Sequence, residues 1–394
     1  MTTTLKSVHI ERFKAAWKPD RIPLQDFNVV IGRNGSGKST MIDALQWIDT
    51  ALRRDAREAC EKFGSISDLI NLRSQSSPNY FKISVEWTLD DVDGRLSTVT
   101  YAVQVSDSDG LPHITSESLT TVDDDGNTST LIETEAYDRR VVRTPDDTPV
   151  PFVDPERLAL ARLADVRAGD PISDSIAQFW SRAVFLRLTP ASLAKSAPVS
   201  RKSHDPLLDE EGSTLATLLH SLPGDELEEV ANGVSNILPG IRDIHLHESG
   251  EGRDAQGSYG LLERMPYRGR SGKKLLEIPS WMLSEGTRRI TALVALVTMD
   301  SPASFLCVEE MENGLDPWSV ELVIRYLMNS SDLSQVLVST HSPNLLDLVP
   351  ISSIIIAKRV EGDTRYSAFE SLPEVAAFDP AIPAGVRYRN FETA

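Results

Sequence analysis

The sequence predicts an α/β fold: a mainly parallel sheet flanked by helices, with an antiparallel β lobe and a helical lobe attached. Three observations predict it. A short apolar strand, a glycine-rich turn and an amphipathic helix follow one another across residues 27–52. Later apolar runs of the same kind recur, at 305–308, 335–340 and 354–357. Between the two sets lies a β-rich block broken by Asp-Gly turns, then a stretch of helical periodicity.

The elements can be justified in order. Leu5–Ile10 alternates enough to be a strand, and Phe27–Ile31 is the apolar, β-branched run of a buried parallel strand. Met41, Leu45, Ile48 and Leu52 then recur at helical spacing. From Phe81 to about Thr134, β-rich segments separated by Asp-Gly at 93–94, 109–110 and 125–126 predict antiparallel hairpins. These segments make up an N-terminal half, residues 1–150. A helical lobe is predicted over 151–235, from Leu158, Leu160, Leu163 and Val166, then 172–185, then Leu215, Leu218, Leu219 and Leu222. Within it, 189–206 is rich in Pro, Ser and Lys and reads as a loop. The C-terminal half, 236–394, resumes the sheet with Phe305–Val308, Gln335–Thr340 and Ile354–Ala357.

Composition sets the outer limits. With 394 residues, 40% hydrophobic and 25% charged, the chain can bury one composite core or two to three lobes. Its two cysteines, Cys60 and Cys307, cannot build a secreted disulfide framework, which fits a reducing cytoplasm. No charged-then-apolar leader opens the chain, and the apolar stretch 290–299 is too short to span a bilayer, so no membrane partner is expected. A formal charge of −18 argues against a broad nucleic-acid surface, though a local basic patch could still contact DNA.

Chemistry concentrates in a few strings. Residues 32–39 fit G-x-x-x-x-G-K-[ST] at Gly32, Gly37, Lys38 and Ser39. A strand, a glycine turn and a helix start in that order aim backbone N–H groups and a helix dipole at one point, where phosphate belongs. Gly35 and Gly37 permit close approach, Lys38 reaches the β and γ oxygens of ATP, and Ser39 offers its hydroxyl to Mg²⁺. Asn34, Ser36 and Thr40 complete the cradle. Ligands of parallel sheets collect at the carboxyl ends of strands, which places Glu309-Glu310 and His341 near the same edge. Glu309 is then the metal ligand, Glu310 the residue polarising the attacking water, and His341 the partner of the γ-phosphate. The plain alternatives are a solvated turn for the acids and a locally satisfied histidine.

Four ordered motifs carry a resemblance: 32–40, Leu-Ser-Glu-Gly-Thr at 283–287, Val-Glu-Glu-Met-Glu-Asn-Gly-Leu-Asp-Pro at 308–317, and Ser-Thr-His-Ser-Pro at 339–343. With Val8–Lys14 and the segments 211–216 and 237–241, the chain resembles the ABC-type ATPase head of the SMC/RecF/OLD group. Within that group it is most similar to the OLD-like AAA ATPases of bacterial anti-phage systems. The resemblance implies a homodimer, open to higher assembly, that closes around two ATP molecules. Ser284 and Gly286 would cap the γ-phosphate held by the opposite subunit, and Asn313–Asp316 would be the loop coupling the two sites.

Some features depart from that pattern. The first Walker B acid is Glu309 where many ABC proteins carry Asp, so slow hydrolysis is expected. Gln75 is the candidate glutamine-loop residue. The absence of heptads excludes a long coiled-coil arm, and the stretch after His341 is too short for the metal-binding TOPRIM domain of OLD nucleases. A separately encoded effector, toxin or nuclease, is therefore expected as partner, with a RecF-like DNA clamp as the alternative and an ATP-binding scaffold as a third class. Arg264, Arg268, Arg270, Lys273 and Lys274 form a basic cluster before the signature, either a contact surface or a solvated hairpin turn.

Overall fold

The computed structural model describes the chain apart from residues 1, 72, 74–78, 91–94, 136–138, 203–204, 252–254, 266–273, 378, 380 and 394. Gln75, Arg268, Arg270 and Lys273 lie outside the described residues. The chain forms two compact units, one made of residues 1–181 and 350–394, the other of 182–349.

The first unit opens with strands β1 (Thr2–Glu11), β2 (Ile22–Pro23) and β3 (Phe27–Ile31), followed by the helix Lys38–Arg53. Six more strands follow: β4 (Tyr80–Asp90), β5 (Leu96–Ser108), β6 (Leu111–Val122), β7 (Thr128–Thr134), β8 (Arg140–Arg143) and β9 (Pro149–Phe152). Among the described residues they form a sheet in the order β2-β1-β4-β5-β6-β7-β8-β9, antiparallel at every pairing. The expectation of a mainly parallel sheet is thus corrected: the larger sheet is antiparallel, and it takes in β1. The physical reason is connection length. Asp109 and Gly110, at φ +55° and +84°, make a two-residue turn between β5 and β6, and so tight a link can only join antiparallel neighbours. Along β4, Phe81, Ile83, Val85, Trp87 and Leu89 are buried at every second position, the period-two signature of a sheet with one face on a core. Trp47 of the helix Lys38–Arg53 meets Phe81 edge-on at 5.2 Å, which sets the helix on that face.

A buried ion pair ties the segment after β9 to this sheet. Glu117 and Arg140, both at most 1% exposed, pair at 2.8 Å. The Glu117 carboxylate also accepts the Tyr101 hydroxyl and the backbone N–H groups of Ala159 and Leu160 at 2.7–3.0 Å. The helix Pro171–Ser181 then adds Phe179 and Trp180 to the Trp87 cluster.

The second unit contains β10 (Val184–Leu186), β11 (Ala197–Pro198), β12 (Ile241–Ser249), β13 (Gln256–Met265), β14 (Lys274–Pro279), β15 (Phe305–Val308) and β16 (Gln335–Thr340). Here the parallel expectation is met: β10, β15 and β16 pair in parallel and are buried throughout. β12, β13 and β14 form an antiparallel group with β11; the hairpin reading of the basic cluster agrees with the β13–β14 pairing, whereas β11 and β12 had no counterpart in the sequence analysis. The stretch read as a loop at 189–206 holds a short helix, Pro190–Leu193, started by the Thr189 side chain, and β11. The helices Gly224–Ile237 and Glu285–Thr298 pack together; a Cβ at Gly233 would stand 2.5 Å from the Tyr326 hydroxyl and 2.7 Å from Val294.

Residues 350–394 return to the first unit with β17 (Ile354–Val360) and β18 (Asp363–Ala368). β17 lies parallel to β3, with Ile354 opposite Val29 and Ile356 opposite Ile31, and β18 is antiparallel to β17.

Candidate functional site

In the first unit, β3 delivers the chain to the phosphate-type loop and the helix Lys38–Arg53 leaves it. Gly32 is held against β17 so closely that a Cβ there would lie 2.2 Å from the Ala357 carbonyl oxygen. Gly35 and Gly37 adopt φ +73° and +101°, left-handed conformations open to glycine, and between them Ser36 N–H donates to the Arg33 carbonyl at 3.1 Å. Gly37 is the N-cap of the helix and supplies no capping side chain. Lys38 is buried, its Nζ donating to the carbonyls of Gly32 at 2.7 Å and Arg33 at 3.2 Å, so it lies across its own loop. Asn34 and Gly35 are exposed, Ser39 is half-buried, and Thr40 is buried, its N–H donating to the Gly37 carbonyl. The Ser36 hydroxyl is buried without a hydrogen-bond partner among the described residues. A cavity of about 280 Å³ opens beside the loop, lined by residues 33–36 and 357–359. A buried hydroxyl without a partner, two left-handed glycines and a cavity beside the loop fit a polyphosphate.

Two residues of the opening segment Val8–Lys14 have no individual role in the sequence analysis. Arg12 and Lys14 both sit at positive φ, 56° and 47°. Arg12 lies over the rings of Tyr80 and Trp17, and Lys14 pairs with Asp43 of the helix Lys38–Arg53 at 2.6 Å.

In the second unit, the acid pair follows β15. Glu309 is 8% exposed, its N–H donates to Leu186 O, and its carboxylate pairs with Arg187 at 2.5 Å. Arg187 follows β10, and a separation of 122 residues leaves nothing local in the sequence to announce it. Glu310 turns through φ +51°, an unusual conformation for a residue with a side chain, and its N–H donates to the Ser339 hydroxyl. That turn sends consecutive acids in different directions. The Glu310 carboxylate accepts a hydrogen bond from Asn313 Nδ2 and lies 3.7 Å from His341 Nε2. His341 in turn donates its backbone N–H to Glu312 at 2.7 Å. Oxygen donors such as Ser39 and Glu309 suit a hard cation like Mg²⁺.

The signature segment is built next to this group. Ser284 N-caps the helix Glu285–Thr298, its Oγ accepting from Thr287 N at 3.1 Å, and it stays exposed. A Cβ on Gly286 would stand 2.7 Å from the Gly314 carbonyl oxygen, so the helix start abuts the loop Asn313–Asp316. From the same helix, Arg289 donates to the carbonyls of Glu309 and Glu310 at 3.1 and 2.8 Å. The structure therefore brings Glu309, Glu310, His341, Ser284 and Gly286 into one neighbourhood of the second unit, and Gly32–Thr40 into one loop of the first. Among the described residues, no helix is long and apolar enough to cross a membrane.

Known proteins share this architecture. A stretch of 95 residues is 30% identical to the chromosome partition protein Smc of Coxiella burnetii (strain RSA 493 / Nine Mile phase I), covering 23% of this chain and 8% of that relative. The Smc head domain with a coiled coil and joint from Pyrococcus yayanosii superimposes with a TM-score of 0.56 at 11% identity, over 93% of this chain and 97% of that one. An SmcHead bound to the C-winged helix domain of ScpA gives 0.50 at 15%, over 92% and 96%. At such identities the likeness is one of fold, an SMC-head-like α/β ATPase fold. The family described as "AAA domain, putative AbiEii toxin, Type IV TA system" matches residues 27–347, from the strand before the glycine loop to beyond His341, and the chain belongs to that family.

Proposed function

We propose that this chain binds and hydrolyses ATP as an ABC-type head that closes into a homodimer around two ATP molecules, and that its cycle controls a separately encoded toxin or nuclease in anti-phage defence. The observation that carries the ATP reading is the glycine loop: pinned at Gly32, turned through positive φ at Gly35 and Gly37, with Lys38 buried across it. On ATP arrival Lys38 exchanges its carbonyl partners for phosphate oxygens. Ser39 and Glu309 are the residues that would offer oxygens to Mg²⁺, whose charge would be supplied to the β and γ phosphates. Glu310 takes up the proton of the attacking water, oriented by Asn313 and by His341, which senses the γ-phosphate. Ser284 and Gly286 supply an N-terminal helix dipole to the γ-phosphate of the opposite subunit. The pairing of Glu309 with Arg187 supports slow turnover, because a metal competes with a guanidinium for that carboxylate.

The defence role rests on the resemblance to OLD-like ATPases, and the family's own description, which names a toxin system, supports a toxin-linked context. The ScpA-bound SmcHead supports the idea that such a head can serve a protein partner. The test is affinity capture of the Glu310→Gln protein with ATP and Mg²⁺, expressed with its genomic neighbours. A stoichiometric neighbouring protein is the expected result. DNA alone, displaced by salt, would replace this reading with the RecF-like clamp.

A further inference from the structure

We propose that the C-terminal hairpin β17–β18 grips the glycine loop at both ends, and that Tyr366 is a positioning residue for ATP binding, assisted by Thr364. The proposal rests on the ATP reading of that loop. Glycine loops bind phosphate only when their N–H groups are already directed inward, yet glycine is the residue least able to hold a conformation by itself. Gly37 adds a second difficulty, since as N-cap it has no side chain to fix the helix start.

A contact that holds the Gly37 peptide itself comes from 329 residues away. Tyr366 on β18 donates its hydroxyl to the Gly37 carbonyl at 2.7 Å. Burial pushes its phenol far above the usual range, with the Asp43 carboxylate adding to the rise and a backbone hydrogen bond from Met41 opposing it, so the hydroxyl stays a neutral donor. Thr364, fully buried, fills the space beside Gly37: its Oγ1 and Cγ2 lie 2.3 and 2.6 Å from where a Cβ at Gly37 would stand. Its Oγ1 has no hydrogen-bond partner among the described residues, a cost accepted at the loop contact. β18 is itself anchored, Thr364 N–H to Ala15 O at 3.1 Å and Asp363 Oδ1 to Trp17 N–H at 2.7 Å. At the other end of the loop, Ala357 of β17 closes on Gly32. One hairpin thus fixes both hinge glycines, and the loop reaches ATP without the entropy cost of ordering itself.

Tyr366→Phe removes one oxygen and leaves the ring packing intact. In calorimetric titration of the full chain with ATP and Mg²⁺, it should raise Kd about tenfold, the effect of losing one well-placed hydrogen bond. Amide exchange across residues 33–41 should quicken in the same sample. Thr364→Ala, which keeps the phenol and deletes the packing on Gly37, should raise Kd about threefold and provides the test if Tyr366→Phe does not fold. An unchanged Kd in a folded Tyr366→Phe protein, with only its unfolding midpoint lowered, would overturn the proposal and make Tyr366 purely structural. Lys38→Ala run alongside separates the two readings. Lost binding there with normal binding in Tyr366→Phe ends only the hairpin proposal, whereas normal binding in Lys38→Ala ends both.

Discussion

At the level of single residues, the site divides sharply into what neighbours in sequence announce and what only folding brings together. Gly32, Gly35, Gly37 and Lys38 are legible because their chemistry is local: a strand, a turn requiring φ > 0 and a helix start are consecutive. Glu309 and Glu310 are legible as an acid pair ending an apolar strand, but their division of labour is not. It depends on the left-handed turn at Glu310 and on Arg187, Asn313 and His341, which the fold supplies. The assignment has a direct consequence. Glu310→Gln keeps the side-chain shape and the Asn313 neighbourhood while removing the proposed proton acceptor, so hydrolysis should fall at least ~100-fold with ATP retained. Phosphate release and size-exclusion profiles with ATP check this together, the variant eluting as a trapped dimer. Lys38→Ala should fail at the earlier step, and equilibrium binding of a fluorescent ATP analogue would register no saturable signal.

At the scale of elements, the antiparallel block was readable because burial alternates with period two and Asp-Gly turns punctuate it. Its extent was not, because β1 looks the same in sequence whether its neighbour runs parallel or antiparallel; only the register to β4 decides. β12 escaped for a different reason: it mixes exposed charges and histidines with buried positions, leaving a weak period. The Glu117–Arg140 pair shows what joins the block to the following chain. Arg140 also donates to the carbonyls of Asp154 and Arg157, so one guanidinium closes the segment that Glu117 holds through Ala159 and Leu160. Arg140→Leu leaves a fully buried carboxylate without its counter-charge, and the expected loss is about 3–5 kcal/mol in urea unfolding. The remaining donors from Tyr101, Ala159 and Leu160 place the result near the lower end. A loss under ~1 kcal/mol would mean that these donors alone satisfy Glu117.

At the scale of the whole molecule, charge sets the terms of association. Each chain carries a formal charge of −18, so two copies approaching one another repel over the Debye length, about 10 Å at 0.1 M salt. In the proposed dimer, what draws them together must be short-ranged. Besides ATP, the second unit presents Trp281 and Met282 at 64% and 70% exposure immediately before Ser284, and Trp318 at 79% just after the loop Asn313–Asp316. Such large exposed apolar side chains are the kind that anchor interfaces, and their contribution does not weaken with ionic strength. Screening therefore removes the opposing term and leaves the attractive one. The ATP-bound Glu310→Gln dimer should tighten as salt rises from about 50 to about 300 mM, by sedimentation velocity across a concentration series. A DNA clamp obeys the opposite rule, because its affinity comes from displaced counterions and falls steeply over the same range. Salt dependence thus separates the two readings without knowledge of the effector: a dimer that strengthens, with DNA binding weak throughout, follows from an acidic ATPase head whose partner is protein.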